Sequence, residues 1–225
     1  MPGVTISAGY GAGGSVIAPA VAERLGVPYL DRAISARVAA QLKVSVKEAE
    51  GGAVNRSLVD RVLAALAPLS DGSMGTAGPD PVAEGREEAE RFRTQSEAIM
   101  REALAGGAVI LGRAGAAALR GEPGVLRVRL FGPVAARIAQ AARIEAVDEE
   151  TARKRQPEVD RARAHYVRRL YGVDIDDPIF FHIQLDSTRL SFDACANLIA
   201  DAYRSLIAGP AAVAASAGTP APSAG

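Results

Sequence analysis

Residues 4–31 read VTISAGYGAGGSVIAPAVAERLGVPYLD. Val4, Ile6 and Ala8 alternate as an apolar strand that runs into a turn packed with glycine, Gly9 to Gly14. From about Ser15 to Leu25 the pattern is helical. A strand feeding a glycine turn at a helix N-terminus predicts an anion site, because the turn's N–H groups and the helix dipole converge on one charge. The phosphate-loop pattern G-x-x-x-x-G-K-[ST] places lysine where this chain has Gly14. The stretch therefore points to a nucleotide phosphate more clearly than to phosphoryl transfer.

Two functional readings fit these residues. Gly9, Gly11 and Gly14 satisfy the dinucleotide fingerprint G-x-G-x-x-G, with Asp31 at about the spacing of a ribose contact. Against it, Ser7 stands where an apolar strand residue is wanted, and some 75 residues without a convincing strand follow Asp31. Shifted by one residue, Ala8 to Ser15 fits a phosphate loop that keeps its second glycine and its serine. The plain alternative is a turn that only packs helix on strand, but three glycines exceed what such a turn needs.

Around this stretch the chain reads as one α/β domain. Its 225 residues carry 26 Lys+Arg against 26 Asp+Glu, a balance that disfavours a generic nucleic-acid or membrane-surface binder. Lysine is confined to Lys43, Lys47 and Lys154, so the basic charge is almost all arginine, the residue suited to forked recognition of phosphate. Cys195 is the sole cysteine, which excludes an internal disulfide and a cysteine metal cluster. With no signal peptide and no apolar run of about 20 residues, a cytoplasmic protein is expected.

Strands are expected at about 4–8, 27–30, 108–111, 125–131 and 179–185. Helices are expected at 15–25, 31–42, 56–67, 86–105, 133–143, 149–171 and 191–207, the last capped by Ser191 or Asp193. Such alternation predicts a parallel sheet covered on both faces. It breaks twice: residues 31–105 hold helices and a Gly/Pro/Ser-rich link at 70–81, and 143–171 is dense in charge of both signs. The uncharged Ala/Pro/Gly/Ser stretch from 209 to 225 is expected to be disordered.

Residues 3–207 resemble the cytidylate kinase-like family, a branch of the P-loop nucleoside monophosphate kinases. The resemblance rests on TISAGYGAGGSVIAPAVAERLGVPYLDRAI, AVILGRAGAAAL (108–119), VLRVRLFGPVAARI (125–138), DRARAHYVRRLYG (160–172) and IQLDSTRLSFDACANLI (183–199), in family order. It implies a three-layer fold with a five-stranded parallel sheet, a helical acceptor-binding insertion (about 31–105) and a helical lid (about 143–172). It implies ATP and Mg²⁺ as cofactors and a nucleoside monophosphate acceptor, with CMP or dCMP the first guess. No nucleic-acid or membrane partner is implied.

By that resemblance Gly9, Tyr10, Gly11, Ala12, Gly13, Gly14 and Ser15 form the donor-phosphate loop, with the Ser15 hydroxyl on Mg²⁺ or else serving as a helix cap. Asp31, Arg113, Arg137, Asp160 and Asp186 fall on the substrate side; Asp31 reads equally as a helix cap, Arg113 as a surface ion pair and Asp186 as a turn cap. Arg113, Arg161 and Arg163 are the cations expected to close over the transferred group, with Asp160 orienting the two lid arginines; a solvated helix face is the bland reading. His165 and His182 read as structural. The sequence departs from the family twice. Ala114 stands where closer cytidylate kinases continue Gly-Arg with Asp, which weakens cytosine as the base. Gly14 replaces the lysine, and Ser15 stands where a family variant carries arginine. Losing one preorganised donor costs on the order of 10²–10³ in rate if nothing replaces it. A catalytically weak nucleotide-binding module is therefore the alternative, and a dinucleotide-dependent oxidoreductase the second alternative.

Overall fold

The computed structural model describes residues 2–30, 81–112 and 114–216. Its centre is a parallel sheet of five strands: β1 (Gly3–Ala8), β2 (Tyr29–Leu30), β3 (Ala108–Leu111), β4 (Val125–Phe131) and β5 (Ile183–Asp186), in the order β2-β3-β1-β4-β5. The order separates the two functional readings. A dinucleotide fold places its second strand beside the first, in the order 3-2-1-4-5-6. Here β3 lies between β1 and β2, so the glycine loop opens between β3 and β4 and the oxidoreductase reading falls.

Helices cover both faces: α1 (Gly14–Leu25), α2 (Pro81–Leu104), the short α3 (Gly115–Ala118), α4 (Val134–Glu145), α5 (Glu149–Tyr171) and α6 (Phe192–Ser216). Strand alternation decides which residues meet which helix. Val4 and Ile6 of β1, with Val128 and Leu130 of β4, turn towards α1 and α6 and pack on Ile17, Val21, Cys195 and Ile199. A second cluster joins Met100 and Leu104 of α2 to Ile110 and Leu119. The intervening residues Thr5, Ser7, Arg127 and Arg129 belong to the other face. Ser7 and Arg129 are register partners on neighbouring strands.

Several boundaries differ from expectation. The strand at 27–30 pairs only over Tyr29–Leu30. The apolar run at 179–185 begins as a 3₁₀ turn, Pro178–Phe180, because the Asp177 carboxylate accepts the Ile179 N–H at 3.0 Å. α2 starts at Pro81 rather than 86. α5 matches expectation, capped by the Asp148 carboxylate on the Thr151 N–H at 2.7 Å. Ser191, not Asp193, caps α6, its Oγ accepting the Ala194 N–H at 3.1 Å. The bounds of α6 run to Ser216 across a kink at Gly209, whose φ of 74° and ψ of 165° are non-helical. The helices expected at 31–42 and 56–67, and the link at 70–80, lie outside the described residues, as do residues 217–225. No described helix is long and apolar enough to cross a membrane.

Candidate phosphate-binding site

The loop leaves β1 with the Gly9 N–H on Leu130 O (3.2 Å) and closes on itself through the Ala12 N–H to Gly9 O (3.0 Å). Gly11 and Gly13 hold left-handed φ values of 75° and 72°. A Cβ at Gly11 would lie 2.0 Å from the Arg137 carbonyl oxygen, and one at Gly13 would lie 2.6 Å from the Phe192 ring. Gly13 is the N-cap of α1, so Ser15 sits inside the first turn and is not the cap. Its side chain is exposed and pairs with nothing among the described residues. The N–H groups of Gly13, Gly14 and Ser15 likewise find no partner there, as expected of a helix start without a side-chain cap. Unpartnered N–H groups at a helix N-terminus are a cup suited to an anion.

Everything behind the cup is braced. Arg137 of α4 is buried and donates from Nη1 to Tyr10 O (2.7 Å) and to Asp160 Oδ2 (2.8 Å), and from Nε to Gly132 O (3.0 Å). Asp160 of α5 accepts the Tyr10 N–H on Oδ1 at 2.7 Å and the Gln156 amide on Oδ2 at 2.7 Å. Burial alone would push its carboxyl up, but the Tyr10 N–H, Gln156 and Arg137 together hold it below the usual carboxylate range. Gln140 donates to Gly11 O at 2.9 Å, and buried Ser187 donates to Ala12 O at 2.8 Å. Tyr10 packs with Ile138, Ala141 and Ala152, and its hydroxyl donates to Glu145 at 2.9 Å. Burial, then Glu145, pushes the phenol up to about 12.

Beside the loop, at the C-terminal ends of β1 and β4, lies a cavity of about 190 Å³ lined by Gly9, Arg129, Arg137, Asp160, Arg163 and Asp176, among others. Arg163 donates to Ala8 O at 2.8 Å. Arg129 donates from Nη1 to Ser7 Oγ at 2.9 Å and from Nη2 to Asp176.

The structure sorts the expected site residues. It gathers Gly9 to Ser15, Arg137, Asp160 and Arg163 at one place. Tyr10 and Ala12 contribute buried anchors, with the Tyr10 N–H taken by Asp160 rather than left for a ligand. Asp160 was expected to orient Arg161 and Arg163; its bonds go instead to Arg137, Gln156 and the Tyr10 N–H. On α5 the residues Ala152, Gln156, Asp160, Arg163, Val167 and Leu170 recur on one face, whereas Arg161 lies about 100° from Asp160; both arginines are exposed, and Arg163 is bonded to Ala8 O. Asp186 caps its own turn: Oδ1 accepts the Thr188 N–H (3.0 Å) and hydroxyl (2.6 Å), and the hydroxyl holds the carboxyl below the usual range. Asp31 and Arg113 lie outside the described residues. Sequence reasoning missed Arg129, Gln140 and Ser187. The signals were an arginine in the middle of a buried strand and the serine of the DST segment.

A five-stranded parallel sheet in this order, with a glycine loop opening a helix at the C-terminal end of β1, defines a kinase-like P-loop protein. The chain belongs to the cytidylate kinase-like family, whose model matches residues 3–189. No curated protein matches it significantly. Among solved structures it is similar to an uncharacterized protein from Eubacterium ventriosum (16% identity, 91% of this chain and 99% of that one, TM-score 0.60). It is also similar to a shikimate kinase from Acinetobacter baumannii in complex with shikimate (15%, 88% and 90%, TM-score 0.44). A gluconokinase from Sinorhizobium meliloti follows (12%, 90% and 91%, TM-score 0.46). The first of these likenesses is one of fold.

Proposed function

We propose that the protein transfers the γ-phosphoryl group of ATP to a small acceptor, a nucleoside monophosphate such as CMP or dCMP being the first candidate. The observation that carries this is the pairing of an unpartnered N–H cup, Gly13 to Ser15, with an arginine-lined cavity beside it. The cup takes donor phosphates. The cavity takes the acceptor's anionic end. An acceptor phosphate oxygen attacks the γ-phosphorus while the bond to the β–γ bridging oxygen breaks, and ADP leaves with the electron pair. The protein's part is positioning and positive charge.

Mg²⁺ on the triphosphate would neutralise charge. The exposed, unpaired Ser15 hydroxyl is the group placed to hold it, and Mg²⁺ commonly binds with few protein ligands besides phosphate and water. Arg163, on the loop-facing side of α5, is the cation best placed to act on the reacting phosphates in place of the lysine absent at 14; Arg113 remains a second candidate.

The test is ATP, Mg²⁺ and a panel of CMP, dCMP, UMP and other small acceptors, read as ADP. Acceptor-dependent ADP is expected. ATP affinity without acceptor-dependent ADP would replace this reading with a nucleotide-binding module, which the absence of lysine at 14 favours.

A further inference from the structure

Arg129 is the one cation in the site carried by a central strand. β4 runs between β1 and β5, and the Arg129 side chain is only 11% exposed. A guanidinium there is costly unless it is paired and hydrogen-bonded. Ser7, its register partner, accepts one Nη1 hydrogen and fixes the group at the cavity floor. That also explains a serine where a buried strand would carry an apolar residue. The ion-pair partner, Asp176, is of a different kind: it follows α5, is 72% exposed, and is held by no other residue of the cavity. Guanidinium carries five donors, and Ser7 and Asp176 use two of them among the described residues.

The charges facing the cavity are Arg129, Arg137, Arg163, Asp160 and Asp176. Arg137 and Asp160 neutralise each other and are tied into the loop. Removing Asp176 from the cavity leaves the Arg129 guanidinium without its ion-pair partner, in a cavity that Arg163 also lines. A volume of about 190 Å³ is below the roughly 300–1,000 Å³ of pockets that enclose a whole small molecule, so it suits one small anionic group whose remainder lies outside.

We propose that Arg129 binds the phosphate of the acceptor, and that Asp176 is a stand-in counter-ion which this phosphate displaces. Phosphate offers Arg129 a forked, charge-assisted pair that the single contact to Asp176 does not. The word "acceptor" rests on the function proposed above; the anion site itself does not.

The experiment is calorimetric titration of the full chain at fixed ionic strength with inorganic phosphate and with CMP, alone and with a non-hydrolysable ATP analogue filling the loop. Arg129→Gln should weaken phosphate and CMP tenfold or more and leave the ATP analogue within twofold. Asp176→Asn should tighten phosphate several-fold, and that gain should vanish in the Arg129→Gln background. Asp176 is exposed, so its variant remains informative if Arg129→Gln fails to fold. Phosphate affinity that Asp176→Asn leaves unchanged or weakens would overturn the proposal. So would an Arg129→Gln variant that binds phosphate normally, or that loses the ATP analogue equally. If the wild type takes phosphate through Arg129 but no ATP analogue, the arginine site stands and the kinase reading falls.

Discussion

Gly14 stands where the phosphate-loop pattern carries lysine, and its surroundings supply a packing reason. A Cβ there would lie 2.8 Å from the Ala8 Cβ and 3.0 Å from Leu111 Cδ1, so β1, β3 and the start of α1 meet at this residue. Lysine is not simply missing from an otherwise ordinary loop. Gly14→Lys should lower stability by about 1–3 kcal/mol in urea denaturation, as overpacking does, and should not raise ATP turnover. Arg137 is the other residue on which the site depends. Arg137→Ala strips Tyr10 O and Gly132 O of a donor and leaves a partly buried Asp160 carboxylate without its cation. Unfolding free energy should fall by about 2–4 kcal/mol, with loss of ATP affinity as the loop loosens. The resemblance put Arg137 on the substrate side, whereas the structure shows it bonded to Tyr10 O, Gly132 O and Asp160. Spacing places an arginine near a loop, whereas only the fold shows which carbonyls it reaches.

At the scale of elements, α5 holds the loop at Tyr10 and the turn after β5 holds it at Ala12. Asp160 links pH to this contact. Its native pKa lies below the ordinary value of 3.8, so the stabilisation is fully present above that value and is lost as pH falls through the native pKa. Asp148 and Asp186 shift in the same direction. Asp160→Asn should therefore cost stability at pH 7 yet lose less on going to pH 3 than the wild type does, measured by urea midpoints at both values. Ser187→Ala leaves the Ala12 carbonyl without its side-chain donor and should cost about 1–3 kcal/mol, with weaker ATP binding, in the same assays. The charge-rich helix was expected at 149–171, and the structure adds its ends, a capping Asp148 and a left-handed Gly172. Which of its arginines reaches the end of β1 at Ala8 O was legible only from helical phase once Asp160 had been placed on the loop. That phase separates Arg163 from Arg161.

For the whole molecule, the alternation of short apolar runs with helical patterns was enough to anticipate a parallel five-stranded sheet. Strand order was not. The glycine loop fits two topologies; Ser7 and the matches downstream already favoured the phosphate loop, and β3 lying between β1 and β2 is the long-range fact, carried by no local pattern, that excludes the dinucleotide order. The short strand Tyr29–Leu30 and the 3₁₀ turn at Pro178–Phe180 were misjudged because a brief apolar run does not state whether it finds a partner strand. The central claim remains local: the cup formed by Gly13, Gly14 and Ser15 holds the phosphates of a nucleotide. Calorimetric titration of MgATP into the wild type and into Gly13→Val tests it most directly. The account predicts saturable binding by the wild type and at least a tenfold loss in a Gly13→Val protein that still melts cooperatively. Equal ATP affinity in the two proteins would contradict it.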